Sequence, residues 1–326
     1  MNRDRKPARR KIRRSRRPLI ISGIVLFALV DVALVGIAVS SPGESLDDFF
    51  AGDPATPSAP NAERGPSAAP ESTPEPTPEA TASPQLAPPT NRLSAVDATT
   101  AYRAASGTCS STTTAVLEKT TDGGATWNAS PVFTGMAAVV GLEAVSDTYA
   151  YLVGLQGDGC QPTVALTYTS GADFVNSPER LMGNWYADPA TPTVIHAPSG
   201  GNVAAPCAHV VQLAAVDERH AGVLCSDGQV FQTADAGAAW GSAGAASGVT
   251  AIGGDGDGYL LAVAGAPTCE GVEVQRVALE GTATTRSGCA PVPAGGVADA
   301  ISSGGDAVWV SAGGATFVSS DGGVNW

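Results

Sequence analysis

The chain has 326 residues, of which 39 are glycine and only 15% are charged, and its formal net charge is -13. The first 40 residues hold ten basic and two acidic residues, which leaves 8 basic and 29 acidic residues, a net charge of -21, for the rest. The strong negative charge of residues 41–326 argues against a nucleic-acid partner, because phosphate backbones bind basic surfaces. The glycine content favours many short strands joined by tight turns, and the abundance of Ala, Gly and Val indicates a high-GC bacterium.

Residues 1–18 form a basic tail that is expected to be cytoplasmic, and residues 19–40 are predicted to be a transmembrane helix. From Leu19 to Val39 the sequence is apolar apart from one serine and Asp31, and as a helix it would span about 31 Å, the thickness of a bilayer core. Because basic residues stay on the cytoplasmic side, we expect a single-pass protein of the cell membrane whose remainder is extracytoplasmic. The alternatives are a cleaved signal peptide, whose apolar core is usually shorter, and a twin-arginine export signal.

Residues 41–82 are rich in Pro, Ala, Ser, Thr and Glu, as in the run from Glu71 to Pro78. Such a composition cannot bury a core, so we expect a disordered or polyproline-like linker that holds the next domain away from the membrane. Within the membrane segment, Asp31 either pairs with a partner helix or stays protonated.

Residues 83–326 contain a repeated apolar phrase that opens each β-rich unit, and successive copies start 49, 71, 36 and 48 residues apart. The copies are Leu93–Val96, Leu142–Val145, Leu213–Val216, Val249–Ile252 and a looser one at Val297–Ile301. Periods near 40–50 residues with several strands each are typical of β-propeller blades. We therefore predict an all-β propeller with five recognisable blades. The long interval, with its Pro- and Gly-rich stretch from Pro189 to Pro206, holds either a degenerate sixth blade or an insertion, and its length favours the insertion.

A turn motif of the form Ser/Thr-x-Asp-x-Gly-x-Thr-Trp occurs three times, with Ala239 and Asn325 as departures from the pattern. Its fixed positions are Asp122, Gly124 and Trp127, then Asp235, Gly237 and Trp240, then Asp321, Gly323 and Trp326. Asp can accept hydrogen bonds from the following backbone, Gly allows a positive φ, and Trp can anchor the turn on an apolar layer. A decayed copy runs from Thr169 to Phe174.

This motif resembles the Asp-box, or BNR repeat, of sialidase-like, sortilin-like and photosystem II assembly-factor-like β-propellers. The resemblance implies a propeller in which the boxes are structural and lie away from any catalytic face. It also implies an outer strand after each box, and the chain ends at Trp326. Because Thr81–Leu86 is similar to the phrase Asn128–Phe133 that follows the first box, we predict that residues 83–90 supply the outer strand of the last blade.

Six cysteines lie beyond the membrane segment, and an even number in an exported domain favours disulfides. Proximity in the sequence favours the pairs Cys207–Cys225 and Cys269–Cys289, which leaves Cys109–Cys160. No Cys-x-x-Cys spacing indicates zinc. Asp255 and Asp257 have acid spacing found in calcium loops but lack further ligands, so they are a weak calcium candidate beside the default of a glycine turn. No cofactor is expected.

The resemblance to sialidases implies an Arg triad, a Tyr–Glu nucleophile pair and an Asp acid, but the Arg-Ile-Pro motif of that family is absent. Tyr102-Arg103 with Glu143, and the pair Asp217-Glu218, have no spacing that compels a site. The three histidines stand beside no nucleophile motif; they are His196, His209 and His220.

We therefore expect a membrane-anchored extracytoplasmic propeller that acts as a non-catalytic binding or scaffolding module for a protein or glycan at the cell surface. Two alternatives stay open: a sialidase-like glycoside hydrolase, and an assembly factor for a membrane complex. Paired carboxylates at one mouth of the ring would favour hydrolysis.

Overall fold

A computed structural model of the chain describes residues 85–109, 114–133, 135–199, 201–245 and 247–326. The predicted basic tail, transmembrane segment and linker all lie outside these residues. Within them no helix is long and apolar enough to cross a membrane.

The described residues form six antiparallel sheets that follow one another along the chain, here called blades I to VI. Blade I contains β1 (Asn91–Ala95), β2 (Ala101–Ala105), β3 (Val116–Thr120) and β4 (Asn128–Pro131). Blade II contains β5 (Met136–Ala144), β6 (Ala150–Gln156), β7 (Gln161–Thr167) and β8 (Val175–Asn176). After a 3-10 helix at Pro178–Gly183, blade III contains β9 (Tyr186–Ala187), β10 (Val194–Ala197) and β11 (Gly201–Ala204).

Blade IV contains β12 (Val210–Ala215), β13 (Ala221–Cys225), β14 (Val230–Thr233) and β15 (Gly241–Ser242). Blade V contains β16 (Val249–Gly254), β17 (Gly258–Ala264), β18 (Val272–Ala278) and β19 (Thr284–Ala290). Blade VI contains β20 (Ala298–Gly304), β21 (Ala307–Ala312) and β22 (Ala315–Ser319).

The first strand of each blade contacts the first strand of the next, and β20 of blade VI contacts β1 of blade I. The chain is therefore an all-β propeller with six blades closed into a ring. The prediction of an insertion in the long interval was wrong, because residues 186–204 form blade III. This blade is small, since its inner strand β9 has only two residues, and its sequence carries neither the apolar phrase nor the turn motif.

The inner strands of blades I, II, IV, V and VI run in one direction, opposite to β9 of blade III, and this shared direction gives the ring two distinct faces. Near their ends, the backbone N–H of Ala144 in β5 donates to the Ser94 hydroxyl of β1, and that of Ala95 in β1 donates to the Ser302 hydroxyl of β20. Near their starts, the Asn91 amide of β1 donates to Asp299 of β20. We call the face where the inner strands of blades I, II, IV, V and VI begin the entry face. The face where these strands end is the exit face.

The core lies between neighbouring blades, since each sheet packs on two others. Strand β17 is buried along nearly its whole length, and its Leu260 packs with Val308 of β21 in one apolar cluster. Such a strand reads as a continuous run of apolar residues because both of its faces are covered.

Residues 85–90 do not form an outer strand of blade VI, so that prediction was wrong for the residues that the structure describes. The backbone N–H of Leu86 donates to the carbonyl of Ser226 in blade IV at 2.6 Å, and its side chain packs on the cluster between blades IV and V. Pro88 and Pro89 have no N–H to donate to a strand ladder, so this segment crosses the entry face instead.

Candidate functional site

The three motif turns, residues 120–127, 233–240 and 319–326, lie on the exit face and use the same hydrogen bonds. In the first, the Thr120 hydroxyl donates to Asp122 at 2.8 Å and accepts from the N–H of Gly124 at 3.0 Å. Asp122 also accepts from the hydroxyl and the N–H of Thr126 at 2.6 and 2.9 Å. These bonds, led by that of the Thr126 hydroxyl, lower the pKa of Asp122 to about 2.

The other two turns tolerate their substitutions because the backbone bonds remain. Asp235 accepts from the N–H of Ala239 at 2.9 Å, and Asp321 accepts from the N–H and the side-chain amide of Asn325 at 2.8 and 2.6 Å. The glycine of each motif has a positive φ, which strains any residue with a side chain; these are Gly124 at 87°, Gly237 at 85° and Gly323 at 89°.

The tryptophan of each motif turn packs on the preceding blade. Trp127 of blade I meets Trp309 of blade VI edge to face at 6.4 Å, and Trp240 of blade IV meets Trp185 of blade III in the same way at 6.4 Å. Trp326 packs on the cluster shared by blades V and VI. The side chains of these turns are therefore engaged within the protein, and the turns hold neighbouring blades together.

The decayed copy in blade II keeps the turn with threonine in place of the aspartate. The N–H of Gly171 donates to the Thr167 hydroxyl at 2.8 Å, and the N–H of Asp173 donates to the Thr169 hydroxyl at 2.8 Å.

All six cysteines form disulfides in the predicted pairs, and all three bridges lie on the entry face. Cys109–Cys160 joins loops of blades I and II, and Cys207–Cys225 joins the approach to blade IV with the end of β13. Cys269–Cys289 joins the connection between β17 and β18 with the end of β19. The bridges thus fix loops of the face opposite to the motif turns.

At the weak calcium candidate, Asp255 forms an ion pair with Arg276 of the same chain. Asp257 lies in the same turn, where its N–H donates to the carbonyl of Asp255. Across the described residues no group of three or more His, Cys, Asp or Glu side chains is arranged to hold a metal.

An axial cavity of about 430 Å³ runs through the centre of the ring, lined by the inner strands of blades I, II, IV, V and VI. It has three charged side chains, Arg92, Asp299 and Glu143. By their positions on the inner strands, Arg92 and Asp299 lie towards the entry face and Glu143 towards the exit face.

The Arg92 side chain is largely surrounded by protein, keeps some access to two cavities, and has no carboxylate within ion-pair distance. Its side chain forms no ion pair or hydrogen bond with any described residue, and its Nε is buried without a partner. Burial lowers the pKa of Arg92 to about 10, so the guanidinium stays protonated at neutral pH.

Arg92 also borders a second depression, of about 280 Å³, on the entry face. Its wall is mostly apolar and includes Leu86, Val140, Pro192 and Val211. The depression exists because β9 is only two residues long and fills little of the inner layer between blades II and IV. A charged group and an apolar hollow therefore adjoin at one mouth of the ring.

The two carboxylates of the axial cavity differ in their surroundings. Asp299 accepts from Asn91 and Thr90 at 3.2 and 3.3 Å through one oxygen, while its other oxygen is buried without a partner. The Glu143 side chain is exposed to the cavity. The protein around that cavity partly desolvates the carboxylate, which raises the pKa of Glu143 to about 7. Glu143 stands opposite Tyr151 of β6, and burial, followed by this carboxylate, raises the pKa of that tyrosine.

The other residues considered for catalysis are dispersed. The Tyr102 hydroxyl donates to the carbonyl of Asp147 at 2.6 Å. Arg103 pairs with Glu118 at 2.7 Å and lies over the Trp127 ring. Neither joins Glu143 in a site.

The histidines are equally separated. His196 stacks on Tyr186 at 4.6 Å, His220 pairs with Asp217 at 2.8 Å, and His209 lines the depression on the entry face. Glu218, the neighbour of Asp217, is exposed. No role was predicted for Arg92, whose only signal in the sequence is a lone cation immediately before the first apolar phrase.

No protein-family model and no curated protein matches the chain. Among solved structures it is similar to YCF48 from Cyanidioschyzon merolae, with 12% identity, a TM-score of 0.39, and coverage of 67% of this chain and 78% of that one. It is similar to a GH74 xyloglucanase from Xanthomonas campestris at 14% identity and a TM-score of 0.31, covering 72% of this chain and 37% of the enzyme. It is also similar to YCF48 bound to D1 peptide, at 15% identity and a TM-score of 0.29, covering 75% and 84%.

Proposed function

We propose that this protein is a binding module, anchored in the cell membrane by residues 19–40 with its propeller outside the cytoplasm. Its ligand places an anionic group against Arg92 and an apolar portion in the adjoining depression. The module is non-catalytic. The three disulfides support an oxidising, extracytoplasmic location, because such bonds persist in that environment.

The observation that carries the proposal is the unpaired guanidinium of Arg92 at the entry mouth. A charge that is largely surrounded by protein without a partner costs stability unless a ligand neutralises it. Arginine presents planar donors that match a carboxylate or a phosphate. The apolar wall beside it would bury the rest of an amphipathic anion and add affinity.

The disulfide-bonded loops of the entry face support a role in binding rather than in catalysis. Loops held by Cys109–Cys160 and Cys207–Cys225 lose little conformational freedom when a ligand binds, which preserves affinity. Glycoside hydrolysis needs two carboxyl groups flanking one bond, whereas Asp299 and Glu143 lie towards opposite ends of the axial cavity.

The test is isothermal titration of the full-length chain with hexanoate and with its uncharged counterpart hexanamide. We expect saturable binding of hexanoate only. Arg92→Gln should weaken it by about 10–100-fold, the range for a hydrogen bond to a charged group. The matched control is Arg219→Gln, which removes an exposed guanidinium outside both cavities and should leave hexanoate affinity unchanged.

Equal affinity for the two ligands, or an equal effect of the two substitutions, would contradict the proposal. Turnover of glycosides that is lost on Glu143→Gln or Asp299→Asn would establish the hydrolase alternative instead.

A further inference from the structure

A groove of about 330 Å³ lies beside blade II, and neither Arg92 nor the depression on the entry face contributes to it. It is lined by Tyr149 and Tyr151, by Val164 and Leu166 of β7, and by the 3-10 helix region with Arg180. It lies towards the exit face, because β6 begins there.

Aromatic rings dominate this groove. Tyr149 stacks on Tyr168 with ring centroids 4.7 Å apart and an interplanar angle of 17°, and it meets Tyr151 at 6.4 Å. Tyr168 follows β7 and is 52% exposed although it is a large aromatic residue. Three tyrosines from two neighbouring turns therefore present adjoining flat faces beside a groove that opens to solvent.

Arg180 is the charged group at the groove, and the tyrosine hydroxyls and the Asn184 amide beside it can both donate and accept hydrogen bonds. Arg180 has donors only and forms no ion pair with any described residue. It stands close to the phenol of Tyr149, whose pKa is raised by burial first and by Tyr168 next, while Arg180 opposes the rise. A ligand suited to this groove offers flat apolar surface, carbonyl acceptors and negative charge, and does not need to donate.

Proline-rich segments have this chemistry. Proline has a carbonyl but no N–H, and an extended polyproline helix docks its rings in grooves lined by aromatic side chains. Because this helix is already formed in the free peptide, little entropy is lost on binding. Acidic residues between the prolines would complement Arg180.

We infer that the groove lined by Tyr149, Tyr151 and Arg180, together with Tyr168 that stacks on Tyr149, binds an acidic, proline-rich segment of a partner protein in polyproline conformation. A neutral oligosaccharide is less suited, because it offers no negative charge to Arg180. This site is independent of Arg92, since the two lie towards opposite faces of the ring.

The probe is a synthetic peptide with the sequence Pro-Glu-Ser-Thr-Pro-Glu-Pro-Thr-Pro-Glu-Ala, which residues 70–80 of this chain supply as a ready example of the required chemistry. Its affinity for the full-length chain is measured by fluorescence polarisation. Because the chain's own copy would compete for the groove, every protein measured, including the wild-type reference, carries Pro70, Pro74, Pro76 and Pro78 replaced by alanine. The ratio of Kd values between variants is the readout.

We expect Tyr168→Ala to weaken binding by about tenfold, the level of an aromatic interface anchor. Tyr168→Phe keeps the ring and should lose much less. The substituted side chain is half-exposed, so the fold should persist. A peptide with its four prolines replaced by alanine should bind about tenfold more weakly, because it no longer holds the extended helix.

The charge of Arg180 is tested separately. Arg180→Gln should weaken binding of the acidic peptide but not binding of a version with its three glutamates replaced by glutamine. Arg92→Gln should change the affinity of neither peptide. The inference would be overturned if the wild-type chain did not bind the peptide, or if it bound the alanine version equally well. It would also be overturned if chito-oligosaccharides, and not the peptide, bound at the same tyrosines. Each of these results would leave the hexanoate test of Arg92 unaffected.

Discussion

Trp309 joins the last blade to the first, and its removal should open the ring. The side chain is fully buried, packs edge to face on Trp127, and donates from its indole N–H to the carbonyl of Asp97 at 2.8 Å. Truncating a buried tryptophan to alanine typically costs 3–5 kcal/mol, so we expect Trp309→Ala to lose about 4 kcal/mol of unfolding free energy. For a domain of this size that loss corresponds to a fall in Tm of roughly 10 °C.

The hydrogen bond can be separated from the packing by a matched pair of substitutions. The indole N–H of Trp240 is buried but has no acceptor, whereas that of Trp309 has one. Trp309→Phe should therefore cost at least about 1 kcal/mol more than Trp240→Phe, because it loses one hydrogen bond of that net value and because Trp309 is the more deeply buried side chain. Chemical denaturation followed by intrinsic fluorescence measures all three variants. A loss below about 1 kcal/mol for Trp309→Ala would refute the ring-closing role.

The remaining predictions concern acid groups, a disulfide and topology. The pKa of Asp122 in the folded protein is depressed to about 2, so its contribution to stability is present above pH 4 and lost as the pH falls towards 2. Asp122→Asn should therefore flatten the plot of unfolding free energy against pH in that range, and an unchanged plot would disprove the contribution. Glu143 has a raised folded pKa of about 7, so stability should decline as the pH rises from about 4.5 to 7, and Glu143→Gln should abolish that decline while raising Tm at pH 8. Replacing Cys109 and Cys160 by serine opens a loop with a sequence separation of 51 residues and should cost about 4 kcal/mol; equal Tm values for this variant and the wild type would contradict the bridge. Protease added to intact cells should remove the propeller and leave the N-terminal tail protected, and resistance of the whole chain would argue against the proposed topology.

Local patterns in the sequence were sufficient to predict most of the propeller. The apolar phrase marks inner strands such as β1 and β12 because each of these strands has the same surroundings. The motif turns could be located because a hydroxyl, Asp122 and Gly124 must stand at fixed spacing to make their bonds. Blade III was missed because β9, with two residues, is too short to show any periodicity.

The candidate sites could not be predicted because they depend on distances between residues that are far apart in sequence. The axial cavity exists only when Arg92 of β1, Glu143 of β5 and Asp299 of β20 meet around one axis. Nothing in the phrase around Arg92 indicates that its guanidinium has no carboxylate within ion-pair distance. The tyrosine groove likewise combines Tyr149 and Tyr168 from separate turns with Arg180, which lies on a short helix outside the repeat.

The most direct test of the proposed binding role is the melting temperature of Arg92→Met, measured on the full-length chain with and without hexanoate. If Arg92 is retained to bind an anion, removing an unpaired charge that is largely surrounded by protein should raise the Tm of the ligand-free protein, and the stabilisation by hexanoate seen in the wild type should vanish. A lower Tm for the variant, or a hexanoate shift equal to that of the wild type, would show that Arg92 supports the fold rather than a ligand.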